Sequence, residues 1–206
     1  MSSQRRKNEI REANEARILQ AAEKIFAENG FKGAATADIA REAGLPKANV
    51  HYYFKTKAGL YREVLRHILN DWMSAAHTFE AGEDPAEALR TYVRAKMEFS
   101  RMRPYGSRVW AREIMSGAPV LDHFLGTTLK TWLRQQTRII HRWIRDGKIR
   151  SVDPTALMYM IWATTQHYAD FEHQVRILDD GQELSDRSYR RRTKQVIELV
   201  LGSVGL

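Results

Sequence analysis

Lys47, Asn49, His51, Tyr52 and Tyr53 crowd hydrogen-bonding and aromatic groups into one short stretch, with Thr36 upstream and Lys57 just beyond. On a helix, Lys47 and His51 share one face and Asn49 and Tyr53 another, because residues four apart stack. Lys47 would stand at the helix N-terminus, where the positive dipole end and the ammonium both favour a phosphate or a guanine edge. The Asn49 carboxamide matches the N6/N7 edge of adenine. Thr36, His51 and Tyr53 suit phosphate oxygens, which take half or more of the contacts in protein–DNA complexes. The Ala48 methyl suits a thymine methyl, and Tyr52 is open between inward packing and outward contact.

A second group lies in the C-terminal part. Trp162 and Gln166 are four apart on a helical pattern and so share a face; Trp72 and Trp110 lie upstream. Aromatic rings cover both faces of a flat heterocycle well, and a carboxamide complements a lactam –CO–NH– edge. The alternative for each tryptophan is plain core packing, and for Gln166 a place in a subunit interface.

The elements that must position the first group read as a helix-turn-helix. Thr36 is a good N-cap, and Ile39, Ala40 and Ala43 form a narrow apolar stripe. Gly44 supplies the left-handed residue for a sharp turn, and Pro46 suits the first turn of the next helix. Val50 and Phe54, four apart, take the buried side. Before them, residues 14–29 carry Ile18, Ala21, Ala22, Ile25 and Phe26 on one stripe and close with Asn29-Gly30, after which Phe31 packs back. Such geometry also occurs in proteins that never touch DNA, but three helices in this order, followed by a fourth after Thr56, make a compact DNA-reading unit.

The run ILQAAEKIFAENGFKGAATADIAREAGLPKANVHYYFKTKAGL, from Ile18 to Leu60, closely resembles the N-terminal domain of the TetR family of bacterial transcriptional regulators. The resemblance implies a homodimeric repressor with a ligand-binding C-terminal domain. It assigns DNA contact to Thr36, Lys47, His51, Tyr53 and Lys57, and the chemistry of the residues adds Asn49, Ala48 and, if it faces outward, Tyr52. Two residues depart from the family's habit: Pro46 stands where serine is frequent, and Ala48 where glycine is. The stretch WATTQHYADF, with DWM earlier, is similar to the pyrimidine-utilisation regulators of this family, which sense uracil or thymine. That likeness implies an effector pocket lined by Trp72, Trp162 and Gln166. The match over SRVWAREI is weaker, and there Trp110 and Arg112 could reshape the chamber or pair with an anionic ligand.

The predicted fold is all-α: a basic N-terminal tail (1–13), a three-helix helix-turn-helix headpiece (14–58), and a larger helical ligand-binding and dimerisation domain (59–206). No stretch alternates with period two. A long helix carries Leu60 to Ala76 and ends near Gly82. Others run from Pro85 to Arg101, onward to Ser116, and from Val120 to Arg145. Asp153-Pro154 opens a helix through Val175 that is apolar on nearly every side, and a last helix follows Ser185. The final two helices carry more apolar surface than one chain covers, which predicts a homodimer through them. The tail residues Arg5, Arg6 and Lys7 suit either a minor groove or a solvated segment.

The chain has 206 residues and a net charge of +8, which favours polyanionic partners such as double-stranded DNA. With no cysteine there is neither disulfide nor thiolate metal site. The N-terminus lacks the apolar run of a secretory signal and no segment is long enough to span a bilayer, so a cytoplasmic location is expected. No cofactor or metal is expected. His167, Asp170, Glu172 and His173 are a weak metal set because the histidines fall on different helical faces. No phosphate loop, nucleophile elbow or HExxH is present, so an enzyme is disfavoured. The competing readings are a different planar or anionic effector and a sequence-tolerant DNA-coating protein.

Overall fold

The computed structural model describes residues 3–76, 84–182 and 184–206, and within them every regular element is helical. Helix α1 (Ser3–Gly33) buries Ile18, Ala21, Ala22, Ile25 and Phe26 at three-four spacing. It extends back through residues 5–13, which are exposed, with Arg5 paired to Glu9 at 3.2 Å. Gly30, at φ +69°, breaks its axis, and Phe31 beyond it lies 5.0 Å from the Tyr61 ring, centroid to centroid.

Helices α2 (Thr36–Glu42) and α3 (Lys47–Tyr53) form the expected helix-turn-helix. Gly44 turns the chain at φ +63°. Arg17 of α1 donates a 2.7 Å hydrogen bond to the Ala43 carbonyl, placing a cation at the negative end of α2. Two details differ from the sequence reading. Pro46 holds the N-cap position of α3 and not its first turn. Ala35, not Thr36, holds the N-cap position of α2, and no side chain caps it; Thr36 is the first helical residue. The extended Ala35 backbone already sets the entry angle, which leaves the threonine hydroxyl on the helix surface.

Helix α4 (Lys57–Ala76) starts in the headpiece and continues out of it, burying Leu60, Tyr61, Val64, Leu65 and Ile68. Gly82, read as its terminator, lies outside the described residues. Helix α5 (Pro85–Met102) begins with Asp84 accepting from the Ala86 N–H at 3.1 Å. Then come α6 (Pro104–Met115), α7 (Asp122–Phe124), a π-helical turn (Leu125–Leu129) and α8 (Lys130–Arg145). The single helix expected over 120–145 is thus locally widened, a feature that periodicity in apolar residues does not encode. Asp153 caps α9 (Pro154–Asp170) through a 2.7 Å bond from the Ala156 N–H. The helix expected to run to Val175 instead breaks at Phe171 (φ −114°, ψ 31°), separating α10 (Glu172–Leu178) from α9. Helix α11 (Asp186–Ser203) closes the fold.

Two apolar cores result. The first joins α1–α4 with Val109 and Trp110 of α6 and with Ala118 and Leu121 after it. The second joins α5, α8, α9 and α11. Helix α6 therefore belongs with the headpiece in packing although it follows α5 in sequence. Val196, Ile197, Val200 and Leu201 of α11, and Val204 just after it, are buried within their own chain, so that stripe is not spare surface as the sequence reading had it. Apolar side chains that the last helices leave exposed include Tyr159, 54% exposed, Met160 beside it, Ile177 and Leu178 on α10, and Leu199, 70% exposed. Among the described residues no helix is long and apolar enough to cross a membrane.

Candidate functional site

Helix α3 presents one coherent outer face. Lys47, Ala48, His51 and Tyr52 are exposed, and Asn49 and Tyr53 lie beside them, with Tyr53 half-buried. Val50 is fully buried beneath and anchors the helix by its opposite side. Tyr52, left open by the sequence, is 74% exposed, its ring edge-on to Tyr53 at 5.2 Å. The side chains of Lys47, Asn49 and His51 make no hydrogen bond within the described residues. Lys57 behaves differently. Its ammonium donates to the Ala34 carbonyl at 2.9 Å and lies 4.8 Å from the Phe31 ring centre, so it pins the α1–α2 corner to the start of α4.

About one helical turn beyond Ile68 on α4, a small cavity of about 60 Å³ brings together all four of the sequence candidates Trp72, Trp110, Trp162 and Gln166. Trp72 and Trp110 pack with ring centres 4.8 Å apart, and Phe99 meets Trp72 edge-on at 5.6 Å. Trp162 stacks at 6.2 Å on Trp132 and donates its indole N–H to the Tyr92 hydroxyl at 2.8 Å. The cavity is tight: ligand sites for small molecules usually measure about 300 Å³ or more. A wider groove of about 630 Å³ between α1, α4 and the α5–α6 corner is open, and several acidic side chains line it.

Lys96 also lines the cavity, and the sequence reading missed it. Its ammonium lies 3.5 Å from the centre of the Trp72 ring, and the residue is only 4% exposed. Burial pushes this lysine down to about 7, with the Asp170 carboxylate partly opposing the shift. Asp170 accepts from the Ser107 hydroxyl at 2.6 Å, and burial raises its own carboxyl. The signal was present: Lys96 sits seven residues after Leu89 and three after Val93, on the stripe that α5 buries. Arg112, considered as an anion partner, points elsewhere. It donates to the Glu28 carbonyl at 3.2 Å, because its place on α6 faces α1 and not the cavity.

Two helices, α4 and α6, connect cavity and headpiece. On α6, Trp110 forms the cavity wall, and one turn later Glu113, 2% exposed, accepts from the Tyr61 hydroxyl at 2.9 Å. The same carboxylate accepts from the Val120 and Leu121 N–H groups at 2.6 and 3.2 Å. Tyr61 in turn packs edge-on against Phe26 at 4.9 Å in the headpiece core. Arg103, where α5 meets α6, pairs with Glu23 of α1 and Asp71 of α4.

Residues 18–64 match the family model described as "Bacterial regulatory proteins, tetR family", and residues 65–206 match that of the "YcdC-like protein, C-terminal region". The HTH-type transcriptional regulator RutR of Escherichia coli K12 is 38% identical over 189 residues, covering 92% of this chain and 89% of RutR. The chain belongs to the TetR family. Solved structures of the same architecture include the ketosteroid transcriptional regulator KstR2 of Mycobacterium tuberculosis, with a TM-score of 0.76 at 18% identity over 92% of this chain and 94% of that one. FadR of Bacillus subtilis, in complex with stearoyl-CoA, gives 0.64 at 18% identity, covering 92% and 98%. These regulators share the fold across different named ligand classes.

TetR-family membership makes this a helix-turn-helix transcriptional regulator rather than an enzyme. In that frame α3 is the helix available to enter a major groove, and its exposed face is the one rich in donors. The helix-turn-helix was legible in motif terms apart from its caps. The cavity was legible only through its aromatics and Gln166, while Lys96, Tyr92 and Trp132 came from packing between helices distant in sequence.

Proposed function

We propose that this chain is a repressor that binds a palindromic operator as a homodimer and is released by a small planar effector, a pyrimidine such as uracil or thymine. The observation that carries the reading is that Trp72 stands on α4, the helix that begins inside the headpiece, and packs against Trp110 of α6 at the cavity wall. Since the cavity is too tight for a heterocycle as it stands, entry of a ring must part Trp72 from its neighbours. That displacement travels along α4, and along α6 through Glu113 and Tyr61, to the headpiece. A ligand that binds the parted arrangement better shifts the population toward it. Two recognition helices must fall about one DNA turn apart, so a change in their separation weakens operator binding.

The pyrimidine assignment is supported by the likeness of the C-terminal stretch to pyrimidine-utilisation regulators and by Gln166 among the tryptophans. A site built on a carboxamide rejects a ring without the lactam edge far more strongly than one differing by a methyl group. DNA contact falls to Lys47, Ala48, Asn49, His51, Tyr52 and Tyr53, with Thr36 on α2. Lys57 acts by holding the α1–α2 corner. The test is a melting scan with uracil, thymine and unrelated heterocycles. At about 100 times its Kd, a bound effector adds about 2.7 kcal/mol to native stability. A shift with an unrelated ring and none with either pyrimidine would overturn the effector assignment.

A further inference from the structure

The cavity's unsatisfied groups are nearly all donors. Lys96 makes no ion pair or hydrogen bond among the described residues, although it is almost wholly buried. The indole N–H groups of Trp72 and Trp132, both on lining side chains, are buried without a partner. Trp162 has spent its N–H on Tyr92. The Asp170 carboxylate acts on Lys96 through its charge and accepts from Ser107, with no hydrogen bond to Lys96. Only the Gln166 carboxamide brings an accepting atom that no described residue has taken. Buried donors left without acceptors are costly, and a charged one most of all. Such a set is stabilised by a ligand that brings oxygens in excess of N–H groups. A ring carrying a single lactam edge satisfies Gln166 and nothing else. A dioxo ring, or one bearing a carboxylate, has an oxygen to spare.

We propose that Lys96 is the specificity-determining residue of the cavity, donating from its ammonium to a carbonyl or carboxylate oxygen of the effector other than the one paired with Gln166. This rests on the reading of the cavity as the effector site, and deepens it by naming the chemistry that admits a ligand. Lys96 selects acceptor-rich planar rings, and the charge on its stem is kept in an apolar wall for that purpose. A hydrogen bond to a charged donor contributes more than a neutral one, and no described residue accepts one from Lys96.

The experiment is calorimetric titration of the full-length protein and of Lys96→Met and Lys96→Gln with uracil, orotate (the 6-carboxylate of uracil) and 2-pyridone, which has the lactam edge but one carbonyl. The parent protein should prefer uracil to 2-pyridone by about tenfold or more, the scale of a charge-assisted hydrogen bond. Lys96→Met should collapse that preference to about unity by weakening uracil and sparing 2-pyridone, and Lys96→Gln should fall between. Operator binding without ligand reports whether each variant is folded. A folded Lys96→Met that keeps the parent preference overturns the inference while leaving the pyrimidine reading intact. Orotate binding tighter than uracil, and lost in Lys96→Met, supports the role of Lys96 while moving the effector from uracil to an anionic ring. If none of the three rings binds the parent protein, the cavity reading fails and this inference fails with it.

Discussion

Lys96 is held at a cost to the folded state. With its conjugate acid pushed down to about 7 in the native chain and near 10.5 when unfolded, the unfolded state binds more protons between those values. The native state therefore gains stability as pH rises from about 7 toward 10, and the cost of the buried charge is fully present at and below about 7. Lys96→Met removes it. The variant should melt above the parent at pH 7, and the gap should narrow by pH 9, as scanning calorimetry at the two pH values would record. A gap that widens with pH contradicts the assigned direction. On α3 two substitutions should separate their roles. Lys47→Ala should weaken binding to all duplexes and lower the slope of log K against log salt by about 0.9 for each phosphate the ammonium had neutralised. Asn49→Ala should instead relax preference at one base position, by about 1–3 kcal/mol, in a selection from random duplexes.

At the level of elements, α6 joins cavity and headpiece alongside α4. Glu113→Ala removes a buried carboxylate and strands two buried donors, the Tyr61 hydroxyl and the Leu121 N–H, besides the more exposed Val120 N–H. Leaving buried donors unsatisfied costs about 1–3 kcal/mol each, so urea unfolding should show a loss of several kcal/mol. Tyr61→Phe is the gentler probe. It keeps the ring against Phe26 and deletes only the hydrogen bond, and it should leave operator affinity near that of the parent while reducing the response to effector. The same element marks what sequence alone could convey. The helix-turn-helix was legible because its signals are local: a glycine at positive φ, an apolar pair four apart, a proline before the second helix. The cap at Ala35 was not, since an extended backbone without a side-chain bond leaves no residue signature. The break at Phe171 and the π turn at Leu125–Leu129 went unread for a related reason, there being no glycine or proline at the break and an unbroken helical pattern across the turn. Lys96 was readable by spacing but carries a residue type usually assigned to solvent. Arg112 was misplaced because which face of α6 meets α1 is decided by packing between distant segments.

The whole molecule carries +8 and offers one reading helix per chain, which by itself reaches few phosphates. The proposed homodimer would double them and fix the separation of the two helices. The surface left for a partner subunit is not the α11 stripe, which the chain consumes in its own core. For the proposed homodimer we infer that the exposed Tyr159 and Met160 on α9 and Leu199 on α11 face the partner. Tyr159→Arg combined with Leu199→Arg should give a monomer by sedimentation velocity, fold intact by circular dichroism, with specific operator affinity abolished. A dimer that survives both changes would place the interface elsewhere. The central claim, that a ring entering beside Trp72 moves the headpieces, is tested most directly by fluorescence anisotropy of a selected operator duplex titrated with and without saturating uracil, in the parent and in Gln166→Ala. The account predicts an affinity drop of about 100-fold in the parent, a coupling of about 2.7 kcal/mol, and little change in the variant. Equal operator affinity with and without ligand, for a parent protein shown by calorimetry to have bound it, would contradict the account.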